Sequence, residues 1–220
     1  TSTFDTLVES VGGNVALLAF LVMLGVIVVL MNRSGGSKAY GDWAKKHIKT
    51  KRGALLATMV LALVLGVDDY FNNLTTGNVM RPVTDSHNIS RAKLAYMCDA
   101  TAAPVCIMMP ISSWAAAVAG VADTMEGVSG LQLFISAIPW NYYAILTLFT
   151  LVILAVFDED FGPMKIHEDN AKKGDLYTTP ERPYANADDS KNSTNGKVTD
   201  LVIPVIILII FCVTGLLYTG

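Results

Sequence analysis

The basic residues of this chain are confined to three short segments, and this arrangement limits the folds open to it. Seven of the sixteen Lys and Arg residues fall within 32–52, three within 81–93 and six within 165–197. The stretches between these segments are strongly apolar and contain no Lys or Arg. Only 16% of the 220 residues are charged, against about 25% in a typical soluble domain. The pattern predicts a polytopic membrane protein, in which helices satisfy the backbone polar groups.

The apolar runs divide the chain into expected membrane segments. We predict an all-α fold with full transmembrane helices and at least one re-entrant hairpin or broken helix. A helix over 11–31 would cover about 30 Å, which is the thickness of the hydrocarbon core. The predicted units are a core at 1–157 with spans near 11–31, 53–80, 94–121 and 133–157, a polar loop at 158–197, and a transmembrane helix at 198–220.

The basic segment 32–52 is predicted to be cytoplasmic, because it holds seven basic residues and the single acid Asp42. Its second half, 42–51, has the composition of a short interfacial helix. Ser34, Gly35 and Gly36 precede that half. We interpret them as a flexible linker in preference to a backbone nest that turns the chain near a site.

The segment 53–80 is predicted to be interrupted. Its apolar run, from Gly53 to Val67, has only 15 residues and is too short to span comfortably. Asp68 and Asp69 follow directly, and basic residues resume at Arg81. If both flanking segments are cytoplasmic, a re-entrant hairpin or broken helix is favoured, with the aspartates near its tip. The alternative is a plain span that ends at Asp68 and continues into a periplasmic loop.

Segment 94–121 is apolar but contains several helix-breaking residues. Pro104 and Pro110 each remove a backbone donor and disfavour a helical conformation at the preceding residue. We therefore expect an unwound point between Asp99 and Pro104, and a second interruption near Pro110. Gly77 is the corresponding expected break in the preceding segment.

Three carboxylates, Asp68, Asp69 and Asp99, lie in or beside apolar sequence. An ionisable side chain at mid-bilayer costs at least about 2.5–3.5 kcal/mol on insertion scales, so such residues are functional candidates. Oxygen ligands of this kind suit Na⁺ or H⁺ better than a transition metal. An alternative is that Asp68 and Asp69 only cap helices at a water interface. The oxygen-bearing side chains around them are Asn72, Asn73, Thr75, Thr76, Thr101, Ser112 and Ser113. Of these, Asn72, Thr101, Ser112 and Ser113 are expected to supply neutral oxygen ligands.

Five motifs in this region resemble those of NhaC-type Na⁺/H⁺ antiporters, within a broader group of ion transporters. The resemblance covers about 32–120. The motifs are RSGG at 33–36, DDYFNNLTTGNVMRPVTD at 68–85, SRAKLAY at 90–96, DATAAP at 99–104 and PISSW at 110–114.

The resemblance implies a secondary transporter, not an enzyme, in a prokaryotic cytoplasmic membrane, expelling Na⁺ in exchange for H⁺ without a cofactor. Family members are considerably longer, so the chain is expected to be a fragment. Expected partners are Na⁺, H⁺, the lipid bilayer and the remainder of the transporter chain, with a homodimer as an alternative and no nucleic acid. Asp99, with Asp68 or Asp69, would bind Na⁺ and protons in competition, with Na⁺ held at Asp99 and Thr101. The expected hinges are Gly35, Gly36, Gly77, Pro104 and Pro110.

Three other functions are compatible with parts of the pattern. An antiporter of organic acids or amino acids within the same group predicts an Arg near the site, with Arg81 or Arg91 as candidates. An intramembrane aspartyl protease is disfavoured, because the sequence reads GVDD around Asp68 where such proteases have GxGD. The third is a half that does not itself transport. Nucleic-acid binding is excluded, since no basic patch is interleaved with aromatic residues.

Overall fold

The computed structural model describes residues 2–13, 15–122, 129–182 and 195–219. These residues form α-helices joined by short turns and contain no β-strand, so the predicted all-α class is confirmed. The helices are α1 (Thr3–Gly13), α2 (Val15–Arg33), α3 (Gly36–His47), α4 (Lys51–Val64), α5 (Asp69–Ser86), α6 (Arg91–Met108), α7 (Ser113–Ala122), α8 (Gly130–Ala137), α9 (Tyr142–Phe157), α10 (Gly162–Ala171) and α11 (Thr199–Thr219).

None of these described helices has, by itself, both the length and the apolar composition needed to cross a membrane. One bent pair, Gly130–Trp140 with Tyr142–Ala171, meets both requirements when taken together, with a bend of 51°.

The core of the molecule is built around α6, which packs against α4, α5 and α9. Its apolar members come from all four helices, so each helix buries one face against the others. Fully buried side chains of this core include Leu55, Phe71, Met80, Met97 and Leu151.

The helices of this core run between two distinct ends. The charged end, defined by Lys51, Lys93, Asp158, Asp160 and Glu168, gathers the starts of α4 and α6 and the end of α9. The opposite end is the double break, defined by residues 65–68 and 109–112, where α4 passes into α5 and α6 into α7. Since α4 leaves the charged end and α5 returns towards it, the two helices form a hairpin with the double break at its tip.

The two interruptions of the double break contact each other. The backbone N–H of Ser113, at the start of α7, donates to the carbonyl of Val67 at 2.8 Å. Gly66 is equally close to α6, since a Cβ at this position would lie 2.6 Å from Val105 Cγ1 and 3.0 Å from Met109 Cε. Only a glycine allows the backbone to approach α6 so closely.

Two of the expected breaks are wrong. α5 continues through Gly77 and α6 through Pro104, so neither residue interrupts its helix. A proline inside a helix costs about 3 kcal/mol through its missing hydrogen bond. Pro104 is buried in α6, whose packing against three neighbouring helices offsets that cost. The chain instead leaves the helix at Met109, next to Pro110, in agreement with the second expected interruption.

The region predicted as one span over 133–157 is two helices. α8 ends at Ala137, and a short 3₁₀ turn at Ile138–Trp140 contains Pro139. The side chain of Asn141 then accepts a hydrogen bond from Ala144 N–H and starts α9. The proline and the asparagine cap together explain why the helix stops and restarts here.

The glycines at 35 and 36 do not form a flexible linker. Gly35 has φ of 84°, a left-handed conformation that favours glycine, and it turns the chain from α2 into α3. Gly36 is buried, because a Cβ there would lie 2.7 Å from Leu201 N at the start of α11. α3 occupies Gly36–His47, so it begins and ends earlier than the interfacial helix expected at 42–51.

The polar loop predicted at 158–197 contains a helix, since α10 occupies Gly162–Ala171. The end of this loop, 187–197, whose composition predicts disorder or loose folding, lies outside the described residues up to 194. The last predicted span, 198–220, corresponds to α11.

Candidate functional site

Asp68 is the N-cap of α5. Its backbone is extended, and its carboxylate accepts a hydrogen bond from Phe71 N–H at 2.9 Å. The side chain is buried at the tip of the α4–α5 hairpin. A carboxylate in this position stabilises the helix start by roughly 1 kcal/mol. The capping interpretation therefore describes what Asp68 does in this structure.

Asn72 stabilises the break between α4 and α5 through hydrogen bonds of its side chain. Its Nδ2 donates to the carbonyl of Ala62 at 2.7 Å, and its Oδ1 accepts from Thr76 Oγ1 at 3.0 Å. The Ala62 carbonyl needs this partner because Gly66 N–H, its expected helical donor, donates to Leu63 instead. Both polar atoms of the Asn72 side-chain amide thus form hydrogen bonds within the fold. In this structure Asn72 therefore has a structural role.

Asp99 contacts Asn73, which is one of the oxygen-bearing residues around the aspartates but was not among the residues predicted to bind the ion. Asn73 Nδ2 donates to Asp99 Oδ1 at 3.4 Å and so joins α5 to α6. Asp69 precedes Asn73 by four residues, so the two lie on the same face of α5. Asp99 is exposed, whereas Asp69 and Asn73 are half-buried. The four-residue spacing from Asp69 is the signal that could have identified Asn73.

Gly77 extends the same face of α5 by one more turn. A Cβ at Gly77 would lie 3.9 Å from Cys98 Sγ, which is an ordinary contact distance. Cys98 precedes Asp99 on α6, so the stripe Asp69–Asn73–Gly77 faces the part of α6 that carries Asp99. Gly77 is therefore a packing position between two continuous helices.

The hydroxyl groups predicted for the site do not converge on Asp99. Thr101 is buried and donates to the carbonyl of Met97 at 2.6 Å, whereas Asp99 is exposed on another face of α6. Na⁺ held jointly by Asp99 and Thr101 is therefore not supported by this geometry. Ser112 Oγ accepts from Ala115 N–H at 3.3 Å and starts α7, and Ser113 contributes its backbone to the double break.

The carboxylates of the charged end, by contrast, are paired with lysines. Lys51 Nζ lies 2.7 Å from both Asp158 Oδ1 and Glu168 Oε2. Lys93 Nζ lies 2.7 Å from Asp160 Oδ2 and 3.9 Å from Asp158 Oδ1. Only 1% of the Lys93 and Glu168 side chains is exposed, so these charges are held inside the protein. The sequence interpretation did not anticipate this cluster.

The helix start of α6 also contributes to this cluster. Ser90 N–H, at the N-cap of α6, donates to Glu168 Oε1 at 2.8 Å. Burial raises the pKa of Glu168, but Lys51 and Ser90 outweigh it and hold the pKa below its ordinary value of 4.5. Burial lowers the pKa of Lys51, but Asp158 and Glu168 outweigh it and raise the pKa above 10.5. Both groups are therefore stabilised in their charged forms.

Arg91 is engaged by the fold at the same end. Its Nε and Nη2 donate to the two carboxylate oxygens of Asp85, each at 2.7 Å. Its guanidinium also lies 5.3 Å from the ring centroid of Tyr177. A bidentate pair of this kind fixes the guanidinium, so Arg91 does not face the stripe that carries Asp69 and Asn73.

None of Asp68, Asp69 and Asp99 takes part in the ion pairs found among the described residues. In that same part of the chain, no group of three or more His, Cys, Asp or Glu side chains is arranged to hold a metal ion. The arrangement of Asp69, Asn73 and Asp99 thus offers carboxylate and amide oxygens on one face without a fixed positive partner.

A model of the Na⁺/H⁺ antiporter family matches residues 105–220. The chain belongs to the Na⁺/H⁺ antiporter family. That family consists of transporters and not enzymes, which argues against the intramembrane protease. The match begins near the end of α6, so it includes Pro110, Ser112 and Ser113 but not the aspartates at 68, 69 and 99.

One curated relative is considerably longer than this chain. An uncharacterized protein of Haemophilus influenzae (strain ATCC 51907 / DSM 11121 / KW20 / Rd) is 37% identical over 216 residues, which are 96% of this chain. The chain spans 40% of the length of that relative. No solved structure matches the chain.

Proposed function

We propose that this chain is part of a membrane-embedded antiporter of the NhaC type that exchanges Na⁺ for H⁺ across a prokaryotic cytoplasmic membrane. Membership of the Na⁺/H⁺ antiporter family supports the class of transporter. The NhaC subtype and the identity of the two exchanged ions, Na⁺ and H⁺, rest on the motifs between 33 and 114.

The outward surface of the helices supports a membrane environment. Large apolar side chains point away from the core along α9 and α11, with Phe149 62% exposed, Phe157 65% exposed and Phe211 72% exposed. The side chains that α9 buries include the small Ala144 and Ala155. Small residues inside and large apolar residues outside are typical of helices that pack together in lipid.

The course of α4 and α5 supports a re-entrant hairpin. The start of α4 and the first residues after α5 both lie near the charged end, next to the basic segments 32–52 and 81–93. The fourteen residues of α4 cover roughly 21 Å, less than the thickness of the hydrocarbon core. A segment of this length that returns to its starting side would place the double break within the membrane.

The hydrogen bond between Asn73 and Asp99 is the observation that supports the ion site most directly. It holds the carboxylate of Asp99 against α5, one helical turn from Asp69. We assign Asp69, Asn73 and Asp99 to the ion path and Asp68 to helix capping. A carboxylate beside apolar helices without a fixed cation would bind either a proton or Na⁺, and this competition is the basis of exchange.

The exposure of Asp99 fits a site that is completed by another part of a longer protein. An exposed carboxylate on an apolar helix bundle would be costly against lipid. The chain spans only 40% of its relative, so a further portion of such a protein is available to cover this face. In this proposal the covering portion supplies the remaining oxygen ligands.

Na⁺-dependent proton movement in everted membrane vesicles tests the assignment. Asp99→Asn and Asp69→Asn should each reduce the exchange rate at least tenfold, because a neutral amide cannot exchange a proton for Na⁺. Asp169→Asn, on the exposed surface of α10, is the matched control and should leave the rate unchanged. Normal exchange in the Asp99→Asn protein would remove Asp99 from the proposed mechanism.

A pair of substitutions at Asp68 separates capping from ion binding. A serine at position 68 can still accept the hydrogen bond from Phe71 N–H, whereas an alanine cannot. If Asp68 only caps α5, Asp68→Ser should exchange ions normally, and Asp68→Ala should lower stability by about 1 kcal/mol. Loss of exchange in the folded Asp68→Ser protein would return Asp68 to the ion path.

A further inference from the structure

Helix α3 attaches to the protein by one face. The residues of that face follow the helical spacing of three or four positions, and they pack on α5 and α11. Gly41 makes the closest contact, since a Cβ there would lie 2.6 Å from Pro82 Cγ. The inward positions are Gly36, Tyr40, Gly41, Ala44 and, just beyond the helix, Ile48.

The opposite face of α3 is exposed and basic. Lys38, Lys45 and Lys46 lie on it at helical spacing, and Lys49 continues the same line after the helix ends. All four side chains are exposed, and Asp42 is the one acid among them. Arg52, at the start of α4, adds another exposed positive charge to the same segment.

Trp43 is held at the border between these two faces. Its ring lies 5.6 Å from the ring of Tyr40 and 4.6 Å from that of His47. The Trp43 side chain nevertheless remains 47% exposed, a large apolar surface beside a row of lysines. An indole next to basic side chains is the arrangement found where a helix lies at a membrane–water interface.

The acidic groups of the neighbourhood are largely occupied elsewhere. Asp158 and Glu168 pair with Lys51, which points away from its exposed neighbours Lys49 and Arg52. Asp85 forms its bidentate pair with Arg91, although it also feels the charge of Lys45. The exposed face of α3 thus keeps an excess of positive charge that the described fold does not neutralise through ion pairs.

We propose that the exposed basic face of α3, defined by Lys38, Lys45, Lys46 and Lys49, binds the headgroups of anionic phospholipids. The inference rests on the membrane location in the proposed function and adds a lipid partner to it. Charge complementarity selects an anionic headgroup, and the half-exposed Trp43 selects a lipid surface over a soluble anion. Each lysine near such a surface strengthens binding by about fivefold.

Fluorescence quenching by brominated lipids reports the lipids next to Trp43. The protein is reconstituted in phosphatidylcholine vesicles containing 20 mol% of either brominated phosphatidylglycerol or brominated phosphatidylcholine, with the total lipid composition matched. The signal of a Trp43→Phe protein is subtracted, which isolates Trp43 from the other tryptophans. We expect the Trp43 signal to be quenched several-fold more strongly by the brominated anionic lipid, with the difference reduced by added salt.

A charge-neutral variant assigns the preference to α3. Lys38→Gln/Lys45→Gln/Lys46→Gln/Lys49→Gln, which neutralises all four lysines of the face, should make the two brominated lipids quench equally. Lys172→Gln/Lys173→Gln, at the exposed end of α10, is the matched control and should keep the anionic preference. Equal quenching in the unmodified protein, no quenching by either lipid, a preference that survives in the fourfold variant, or its loss in the control would each overturn the proposal.

The result of the lipid-binding experiment can be distinguished from the result of the exchange experiment that tests the ion site. The Trp43 measurement needs no Na⁺ gradient, and the substituted lysines are remote in sequence from Asp69, Asn73 and Asp99. Quenching with anionic preference in an Asp99→Asn protein that has lost exchange would support lipid binding and the ion site together. Exchange without any quenching of Trp43 would contradict lipid binding alone.

Discussion

Carboxylates at the charged end and carboxylates on the facing sides of α5 and α6 have opposite surroundings. Asp160 and Glu168 are each 2.7 Å from a lysine ammonium group. Asp99 accepts a hydrogen bond from the neutral amide of Asn73, and neither Asp69 nor Asp99 joins an ion pair among the described residues. A permanent cation fixes the charge of the first pair, whereas the charge of the second can be balanced by an ion that comes and goes.

In the proposed function, this difference separates a structural use of charge from a transport use. The lysines of the charged end connect the starts of α4 and α6 to the end of α9 and to α10. A buried pair of this kind has a large cost when one partner is removed, because the other charge is left uncompensated. Substitutions at Asp69 and Asp99 should show the reverse pattern, with large effects on exchange and small effects on stability.

The largest expected effect comes from removing one partner at the charged end. Asp160→Asn leaves Lys93, whose side chain is 1% exposed, without its closest carboxylate, and should lower the free energy of unfolding by about 3–5 kcal/mol. Asp99→Asn, which removes the same charge at an exposed position, should change it by less than about 0.5 kcal/mol. Unfolding of the purified proteins in mixed micelles compares the two, and equal losses would contradict the distinction.

A pair of glycine substitutions sharpens the comparison at the double break. Gly66→Ala would bring a Cβ within 2.6 Å of Val105 Cγ1 and should cost about 1–3 kcal/mol. Gly77→Ala meets Cys98 Sγ only at 3.9 Å and gains helix propensity, so its stability should be unchanged or slightly higher. Thermal unfolding of both proteins provides the measurement. A larger loss in Gly77→Ala would mean that α5 needs flexibility at that position.

The pH dependence of stability should give the smallest effect. The pKa of Glu168 is lowered in the folded protein, so its contribution is present above 4.5 and is lost as the pH falls through the folded pKa. The pKa of Lys51 is raised, so its contribution is present below 10.5 and is lost at higher pH. In a plot of the free energy of unfolding against pH, Glu168→Gln should reduce the loss of stability at acidic pH. An unchanged loss at acidic pH would show that other carboxylates cause it.

The interruptions with a local cause could be predicted from the sequence. The short apolar run before Asp68 and the proline at 110 both act on the residues next to them, and the helices do stop there. Pro104 carries the same local signal, yet α6 continues through it, since packing against neighbouring helices decides the outcome. A proline alone therefore cannot indicate whether a buried helix will break.

The charged end could not be predicted by spacing, because its partners are far apart in sequence. Lys51 appeared to be one of seven basic residues in a solvated segment, and its partner Glu168 lies in a distant polar loop. Lys93 did carry a usable signal, since it shares a helical stripe with Met97 and Thr101, both of which are buried. A lysine on the same helical stripe as buried residues indicates a buried acidic partner, and only the fold shows that this partner is Asp160.

The bond between Ser113 N–H and the carbonyl of Val67 has a mechanical consequence. If only one of the two interrupted segments were displaced, an amide and a carbonyl would be left unpaired in apolar surroundings, at a cost of several kcal/mol in lipid. Moving both segments as one body keeps this bond intact. The tip of the α4–α5 hairpin and the start of α7 should therefore move together as one rigid unit in any conformational change.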